Sequence, residues 1–370
     1  MNELAGIAVV LPPREHFRPG DAGAVALTVR DFIGVSQWRE QITVFGSDAE
    51  HFPDIRYRRV RPWLAWVLGR NLAYALACAG AVLATKVALV EVHNRVTLAL
   101  RLKARFPERK ITLHLHNDPQ GMQGCKFVAQ RLRLLDRLDA IYCVSSYVRD
   151  RLLDGLGSVD ASHVHVIYNA MQPAAPVVPA SKLPWVVYAG RFIPEKGVLE
   201  LAQALATLLP LFPEWRAVFL GAWGFGHEAG RSSYEQSVYA ALKPVAAQVE
   251  FRGHVPQGEV IQVFAQAAIA LSPSTGIDAF NRAAVEAMDQ GCATVVSTVG
   301  GLKELAGEAA IRVDPVTPTT LTAALTPLMR DAGYRAEVAQ ACQARVHELF
   351  NLKGQAERLD SVRANLLRKS

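Results

Sequence analysis

The sequence predicts an α/β fold with two doubly wound domains, each built on a parallel sheet. Short aliphatic runs alternate with segments of helical spacing along most of the chain. The alternation stops once, at a segment rich in alanine and proline, and then starts again. At 370 residues the chain is also longer than a single core usually grows, so two cores of comparable size are expected.

The first half alternates from its beginning. Residues 6–12 (GIAVVLP) are an aliphatic run that ends in a Gly/Pro-rich loop, and residues 22–35 have the spacing of a helix. Strands that alternate with helices in this way favour a parallel sheet. Further strands are predicted at 41–46, 87–93, 110–116, 140–145 and 163–168, and helices at 63–85, 98–105, 123–138 and 146–155.

A change of composition marks the domain boundary. Alanine and proline prevail between Asn169 and Trp185, which excludes a long helix and suits a linker. We place the linker at 173–184, between domains at 1–172 and 185–345. The second domain is predicted to have strands at 185–189, 215–220, 249–253 and 268–271, and helices at 199–208, 234–247 and 259–267. The amphipathic tail, residues 346–370, could stay on the second domain or cross back to the first.

Bulk composition excludes some classes of protein. A hydrophobic content of 51% and a charged content of 20% describe an ordered globular chain. The net charge of +6 favours acidic partners such as nucleotides, lipid diphosphates or anionic membranes. Nucleic acid is not expected as a partner, because the basic residues are scattered and form no recognisable module. Five widely spaced cysteines and the lack of a secretory signal predict a cytoplasmic protein with reduced thiols.

Candidate ligand-binding residues follow the predicted strands, because ligands of parallel sheets bind at the carboxyl ends of strands. Gly20 and Gly23 lie in a loop (RPGDAG) after the first strand, where a phosphate could approach the backbone or the chain could simply turn. In the second domain, Gly190, Arg191 and Lys196 follow a strand. A guanidinium and an ammonium on one loop can clamp a diphosphate without a divalent cation, although a solvated loop is the simpler alternative.

Two carboxylates and a Gly-Gly turn follow the next strands of the second domain. Asp278 and Glu286 are eight positions apart, which would place one on a loop and the other inside a helix. Both could accept hydrogen bonds from the hydroxyls of one extended ligand, or serve only as a helix cap and an exposed acid. Gly300 and Gly301 form the turn that opens another helix.

These motifs together resemble the family-4 glycosyltransferases of GT-B fold, whose two Rossmann-like domains face a cleft. The matching segments of the second half are GRFIPEKG, FLGAWGFG, VEFRGHVP and LSPSTGIDAFNRAAVEAMDQGCATVVSTVGGLKE. The first half matches more loosely, through VEVHN, LHLHN, CVSSYVRDRL and VIYNAM. The sequence departs from the family pattern at Asp278, where the family has Glu, and at Asn281, where it has Gly.

The resemblance implies roles for individual residues. Arg191 and Lys196 would bind the donor diphosphate, Glu286 the ribose hydroxyls and Asp278 the transferred sugar, with Gly300 and Gly301 nearby. His116, at the end of a predicted strand, is the candidate for the histidine that contacts the donor sugar near the reacting carbon. His93 ends the preceding predicted strand and could lie nearby, and His114, on the same strand as His116, is expected in the core. No metal site is expected, because no third ligand accompanies His114 and His116 at a metal-site spacing.

The resemblance also implies the reaction. A retaining transferase would move a hexose-type sugar from UDP or GDP to a saccharide or lipid-linked acceptor in glycan synthesis, with the nucleotide sugar as co-substrate and no other cofactor. The alternatives are a sugar-nucleotide 2-epimerase and a non-catalytic binding protein. A dehydrogenase would need a G-x-G-x-x-G loop that RPGDAG does not provide.

A basic, aromatic segment suggests where the acceptor is found. It comprises Arg56, Arg58, Arg59, Arg61, Trp63, Trp66 and Arg70. Such a segment could contact the inner face of an anionic membrane and give access to a lipid-linked acceptor. The alternative is a buried helix of the first domain with a charged lead-in.

Overall fold

The computed structural model describes residues 6–173, 182–222 and 232–368. Contacts divide the chain into two compact units, the first formed by Met1–Ala170 with Leu352–Ser370 and the second by Met171–Asn351. Each unit holds one parallel sheet flanked by helices, so the predicted α/β fold class is confirmed. Most of the predicted linker, residues 174–181, lies outside the described residues, and its last two residues belong to a strand.

The first unit contains a seven-stranded sheet with the order β3-β2-β1-β4-β5-β6-β7, and all its pairings are parallel. Its strands are β1 Ile7–Val10, β2 Ile42–Gly46, β3 Tyr57–Arg59, β4 Leu89–His93, β5 Lys110–Leu115, β6 Ala140–Cys143 and β7 Val164–Val166. Its helices are α1 Ala24–Val35, α2 Ala65–Leu68, α3 Arg70–Leu83, α4 Val96–Arg105, α5 Val128–Arg137 and α6 Ser146–Leu153. The central strands β1 and β4 are buried throughout; β1 is aliphatic, whereas β4 also buries Glu91 and His93.

The second unit contains a six-stranded parallel sheet with the order β10-β9-β8-β11-β12-β13. Its strands are β8 Leu183–Ala189, β9 Arg216–Leu220, β10 Val249–Gly253, β11 Ala267–Ser272, β12 Ala293–Ser297 and β13 Ile311–Val313. Its helices are α7 Val198–Leu208, α8 Ser233–Leu242, α9 Gln257–Gln266, α10 Arg282–Asp289, α11 Leu302–Ala306, α12 Pro318–Arg330 and α13 Ala332–Leu349.

The segment predicted as one helix at 63–85 is two helices. Gly69 separates α2 from α3 with a φ of 74°, a backbone conformation that other residues rarely adopt. The alternative interpretation of this segment as a buried helix is wrong for its tryptophans, because Trp63 is 76% exposed and Trp66 is 87% exposed. Among the described helices, none has the length and apolarity needed to cross a bilayer.

The last helix, α14 Leu352–Arg368, belongs to the first unit. Its apolar face packs into a cluster that includes Phe32, Tyr142 and Leu359. A buried ion pair adds to this packing: the Arg363 guanidinium donates to both carboxylate oxygens of Glu91, at 2.9 and 2.7 Å. The chain leaves the second unit after α13, so the expected boundary at residue 346 lies inside that helix rather than beyond it.

Candidate active site

The strand order of the second sheet identifies its ligand-binding edge. The chain runs from β8 outward through β9 to β10, and then returns to the opposite side of β8 with β11. β8 and β11 are neighbouring strands, but the chain continues from them toward opposite sides of the sheet. Their loops therefore leave a crevice between them at the carboxyl edge, where doubly wound sheets bind ligands. Lys196 follows β8 and Asp278 follows β11.

The loop after β8 is joined to the loop after β11. The Lys196 Nζ atom donates to Asp278 Oδ2 at 2.6 Å, and the backbone N–H groups of Thr275 and Gly276 donate to the Glu195 carbonyl at 3.1 and 3.0 Å. The Lys196 side chain is 23% exposed to solvent, whereas the Asp278 side chain is 9% exposed. The ammonium is thus held in place and still accessible to a ligand.

Asp278 Oδ2 accepts two further hydrogen bonds. Ser274 Oγ donates at 3.2 Å and Asn281 Nδ2 at 2.9 Å. Asn281 also caps α10, because its Oδ1 accepts from the Ala284 N–H at 2.9 Å. The two departures from the family pattern, at 278 and 281, are therefore in direct contact: the amide that replaces a glycine holds the shorter carboxylate.

Glycines let three backbone segments meet at this edge. Gly300, with a φ of 60°, packs against the Asp278 carbonyl, and the Gly301 N–H donates to that carbonyl at 2.8 Å. Gly190 and Gly221 are in similarly close contact at the ends of β8 and β9. The segment FLGAWGFG, residues 219–226, matches a glycine turn of the family, and from residue 223 onward it lies outside the described residues.

Replacing Gly197 by alanine is expected to lower the free energy of unfolding by about 2 kcal/mol or more, because its backbone is left-handed and a Cβ would overlap the Pro273 carbonyl. Chemical denaturation checks this. Gly258→Ala in α9 is the matched control, since nothing lies within 4 Å of that Cβ position. Equal stability of both variants would contradict the close packing of the two loops.

Glu286 is buried on α10 at 5% exposure. Its Oε1 accepts from Gln257 Nε2 at 2.8 Å and from Arg282 Nε at 2.9 Å. No contact joins Glu286 directly to Lys196 or Asp278 among the hydrogen bonds and ion pairs of the described residues. The partner Arg282 was missed by the sequence analysis, although its i, i+4 spacing from Glu286 was visible; Gln257 gave no such signal.

In the first unit, Gly20 and Gly23 lie on the loop between β1 and α1. Gly20 has a φ of 81° and open space around it, whereas a Cβ on Gly23 would meet the Glu15 carboxylate. Glu15 Oε1 accepts from the Ala26 N–H at 3.0 Å, so a carboxylate already satisfies one donor of the α1 N-terminus. The prediction that this loop contacts phosphate stays a prediction.

Three histidines form a cluster at the carboxyl edge of the first sheet. His93 ends β4 and lies opposite His114 on β5, with ring centroids 4.2 Å apart. His93 Nδ1 and His116 Nε2 are 2.9 Å apart and share a hydrogen bond. His114 is buried, as predicted, and its Nε2 has no hydrogen-bond partner, with Glu91 Oε2 at 3.9 Å.

The cluster provides the third imidazole that the sequence spacing lacked. Ring nitrogens of His93, His114 and His116 all lie within 4.8 Å of one another, so the group could hold a metal ion. The prediction that there is no metal site considered only His114 and His116 and did not count His93 as a third ligand. In the simpler arrangement without a metal, the rings stack and His116 Nε2 bonds to His93, so a ligand could be contacted only by His116 Nδ1.

Acidification is expected to destabilise the fold through these histidines. Burial lowers the pKa of His116 to about 4 and those of His93 and His114 well below 6.5. The unfolded chain therefore binds more protons below pH 6.5, so stability is fully present above that pH and is lost as the pH falls toward 4. Between pH 7 and 5, His116 alone accounts for about 2 kcal/mol of the free energy of unfolding.

Chemical denaturation at the two pH values measures this loss. His116→Gln is expected to reduce the difference between them. An equal pH dependence in the wild type and His116→Gln would show that His116 ionises normally in the folded state.

Comparison with known proteins relates both units to one class. The family model for group 1 glycosyl transferases matches residues 175–345, and that for glycosyltransferase family 4 matches residues 39–174. The lipopolysaccharide 1,2-N-acetylglucosaminetransferase of Salmonella typhimurium is 22% identical over 75% of this chain and 72% of its own. The putative glycosyltransferase YtcC of Bacillus subtilis is 20% identical over 93% and 88% of the respective chains.

Solved structures show the same fold. The Anabaena protein HepE (Alr3699), solved in complex with UDP, has a TM-score of 0.77 at 18% identity. The match covers 97% of this chain and all of the HepE chain. Sucrose-phosphate synthase from Thermosynechococcus elongatus has a TM-score of 0.79 at 18% identity over 99% of this chain and all of its own. The chain is thus a glycosyltransferase of GT-B fold. It belongs to the family-4 type, as its sequence motifs predicted.

Proposed function

We propose that this glycosyltransferase is a retaining, metal-independent enzyme that moves a hexose-type sugar from UDP to an acceptor hydroxyl. The observation that carries the proposal is the Lys196–Asp278 pair at the crevice of the second sheet. It places an accessible cation beside a fixed carboxylate, the two groups that a diphosphate and a sugar hydroxyl require. The choice of UDP over GDP is supported by the HepE structures, which contain UDP and UDP-glucose.

The leaving group is the first chemical problem that the site addresses. As the bond between the anomeric carbon and the diphosphate oxygen breaks, negative charge develops on the diphosphate. Lys196, with Arg191 on the same loop, would stabilise that charge in place of a divalent cation. Gly190, Gly300 and Gly301 would contribute by letting the loops of this edge pack closely around the site.

The sugar and the nucleoside are assigned to carboxylates. Asp278, fixed by Lys196, Ser274 and Asn281, would accept hydrogen bonds from sugar hydroxyls through its second oxygen. Glu286 would accept from the ribose hydroxyls, with Gln257 and Arg282 holding the carboxylate in position. His116, which is neutral because burial lowers its pKa, stays the candidate for the histidine that contacts the donor sugar.

Retention would follow from attack on the face that the diphosphate leaves. The acceptor oxygen forms a bond to the anomeric carbon as the bond to the diphosphate oxygen breaks. The departing diphosphate oxygen takes the proton of the acceptor hydroxyl. No protein nucleophile is required. The reaction would belong to the synthesis of a polysaccharide or lipopolysaccharide, because the Salmonella relative is named as a lipopolysaccharide transferase.

A donor panel tests the proposal. The purified chain is incubated with UDP-, GDP- and ADP-linked hexoses and an extract of saccharide and lipid-linked acceptors, and the released nucleoside diphosphate and the product anomer are measured. We expect UDP release that depends on acceptor, persists in EDTA and gives a product with the donor's anomeric configuration. A free epimerised sugar nucleotide would instead identify the epimerase alternative, and no turnover of any donor would favour a non-catalytic protein.

A further inference from the structure

A polar pocket opens at the switch point of the first sheet. The chain leaves β1 toward β2 and β3 and returns on the other side of β1 with β4, so the loops after β1 and β4 flank a crevice. Arg14 follows β1 and Arg95 follows β4, and both line a cavity of about 750 Å³. It is separate from the histidine cluster, which lines a smaller, mostly apolar cavity.

The pocket concentrates positive charge. Four arginines line it, Arg14, Arg70, Arg95 and Arg101, and the described residues of its wall include no Asp or Glu. None of the four forms an ion pair with a described carboxylate, whereas Arg151 and Arg252 elsewhere do. Arginines grouped without carboxylates are suited to bind an anion, and phosphate in particular matches the guanidinium fork. We call this site the arginine pocket.

Arg95 has donors that no protein group satisfies. Its Nε is buried without a hydrogen-bond partner, and its Nη1 donates only weakly, to the Asn94 carbonyl at 3.3 Å. Burial lowers the pKa of Arg95; Tyr74 and Glu15 raise it, and Arg14 lowers it further, so the two guanidiniums are close enough to repel. Glu15 accepts a hydrogen bond from the Ala26 N–H, so its effect on the Arg95 charge is electrostatic and not a direct ion pair.

The backbone beside Arg95 is held in an unusual conformation. Asn94 has a φ of 53°, rare for a residue other than glycine, and its side-chain oxygen accepts from the His116 N–H at 2.8 Å. The next residues begin α4, which has neither a side-chain cap nor an acidic residue in its first turn. The positive end of this helix therefore adds to the charge of the arginines.

The rim of the pocket is apolar and exposed. Trp66 lines the pocket and is 87% exposed, and Trp63 and Val67 beside it are 76% and 57% exposed. Arg58, Arg59 and Arg61 are exposed next to them along the chain. Tryptophans flanked by arginines are typical of surfaces that contact the interface of an anionic membrane.

We propose that the arginine pocket binds the phosphate or diphosphate of a lipid-linked acceptor, presented by a membrane against which Trp63 and Trp66 pack. The assignment of this anion to an acceptor follows from the proposed function, since the donor diphosphate is assigned to the second unit. The anionic group would be fixed at the pocket, with the lipid chain on the tryptophan side.

Vesicle flotation tests the membrane source. Full-length protein is mixed with vesicles of phosphatidylcholine alone, with added phosphatidylglycerol, which has a phosphodiester, or with added phosphatidic acid, whose terminal phosphate is more accessible and more highly charged. We expect binding in the order phosphatidic acid, phosphatidylglycerol, phosphatidylcholine. Arg101→Ala is expected to weaken binding to phosphatidic acid about tenfold or more, while Arg105→Ala, one turn further along α4 and outside the pocket, has little effect.

The apolar rim has its own matched pair. Trp66→Ala is expected to weaken binding to all anionic vesicles, whereas Leu211→Ala, 66% exposed on the second unit, is not. Calorimetry with inorganic pyrophosphate on a Lys196→Ala background, which removes the proposed donor clamp, measures the pocket without lipid. UDP titrations of the arginine variants, in the wild-type background, show whether the donor site is intact.

The outcomes separate the proposals. Equal vesicle and pyrophosphate binding by Arg101→Ala and Arg105→Ala would overturn the pocket, whatever UDP does. Pyrophosphate binding that depends on Arg101 without any vesicle preference would overturn the lipid source and identify a soluble phosphorylated acceptor. If the wild-type chain does not bind UDP, that result counts against the proposed function, and the pocket measurements remain valid.

Discussion

Replacing Lys196 by alanine is expected to reduce turnover of the nucleotide sugar about 100-fold or more, because the ammonium would stabilise charge on the departing diphosphate. The effect should fall mainly on kcat, since that charge is largest in the transition state. Asp278 keeps its bonds to Ser274 and Asn281 in the variant, so the loop is expected to stay folded. Initial rates of nucleoside diphosphate release give the measurement.

Lys243→Ala is the matched control for that variant. Lys243 is an exposed lysine of the same unit that follows α8, and its removal should leave turnover unchanged. Lys196→Arg keeps the charge and is expected to recover part of the lost rate. Full activity of Lys196→Ala would contradict the role of the ammonium in the reaction.

Replacing Arg363 by alanine is expected to lower the free energy of unfolding by about 3 to 5 kcal/mol, because the Glu91 carboxylate would be left buried without its partner. Glu91 and Arg363 are 0% and 3% exposed, and Asp360 and Ser36 complete the network at 2.8 and 3.2 Å from Arg363 Nη1. Denaturant unfolding monitored by circular dichroism measures the loss.

Arg358→Ala, an exposed arginine on the same helix, should leave that stability nearly unchanged. The double variant Glu91→Leu with Arg363→Met removes the unpaired Glu91 charge and leaves Asp360 bonded to Ser36 and Gln37, so it is expected to recover part of the loss. An Arg363→Ala protein as stable as the wild type would show that α14 is held by its apolar face alone.

The fold was predictable because its signals are local. An aliphatic run such as β1 has hydrophobic residues on both faces, which is typical of a buried parallel strand. The errors occurred where local signals are weak. Gly69 divides an apolar segment that looks continuous, and the three-residue strand β3 lies at the sheet edge with two exposed arginines.

The candidate site was predictable where a contact follows from a motif. Lys196 and Asp278 were each identified from a segment that matches the family. Their mutual ion pair was not, because it joins residues 82 positions apart through strand order. The same limit applies to Glu91 and Arg363, which are 272 positions apart, and to the four arginines that the first sheet brings to one crevice. Charged residues give no sequence signal of burial or of convergence.

Calorimetric titration of UDP tests the central claim most directly, that the second unit binds a nucleoside diphosphate through Lys196 without a metal. The titration is made in Mg²⁺ and in EDTA, on the wild type and on Lys196→Ala, with GDP and ADP in parallel. We predict one binding event for UDP that is equal in both buffers and lost in the variant. Binding that requires Mg²⁺, or that Lys196→Ala leaves unchanged, would contradict it.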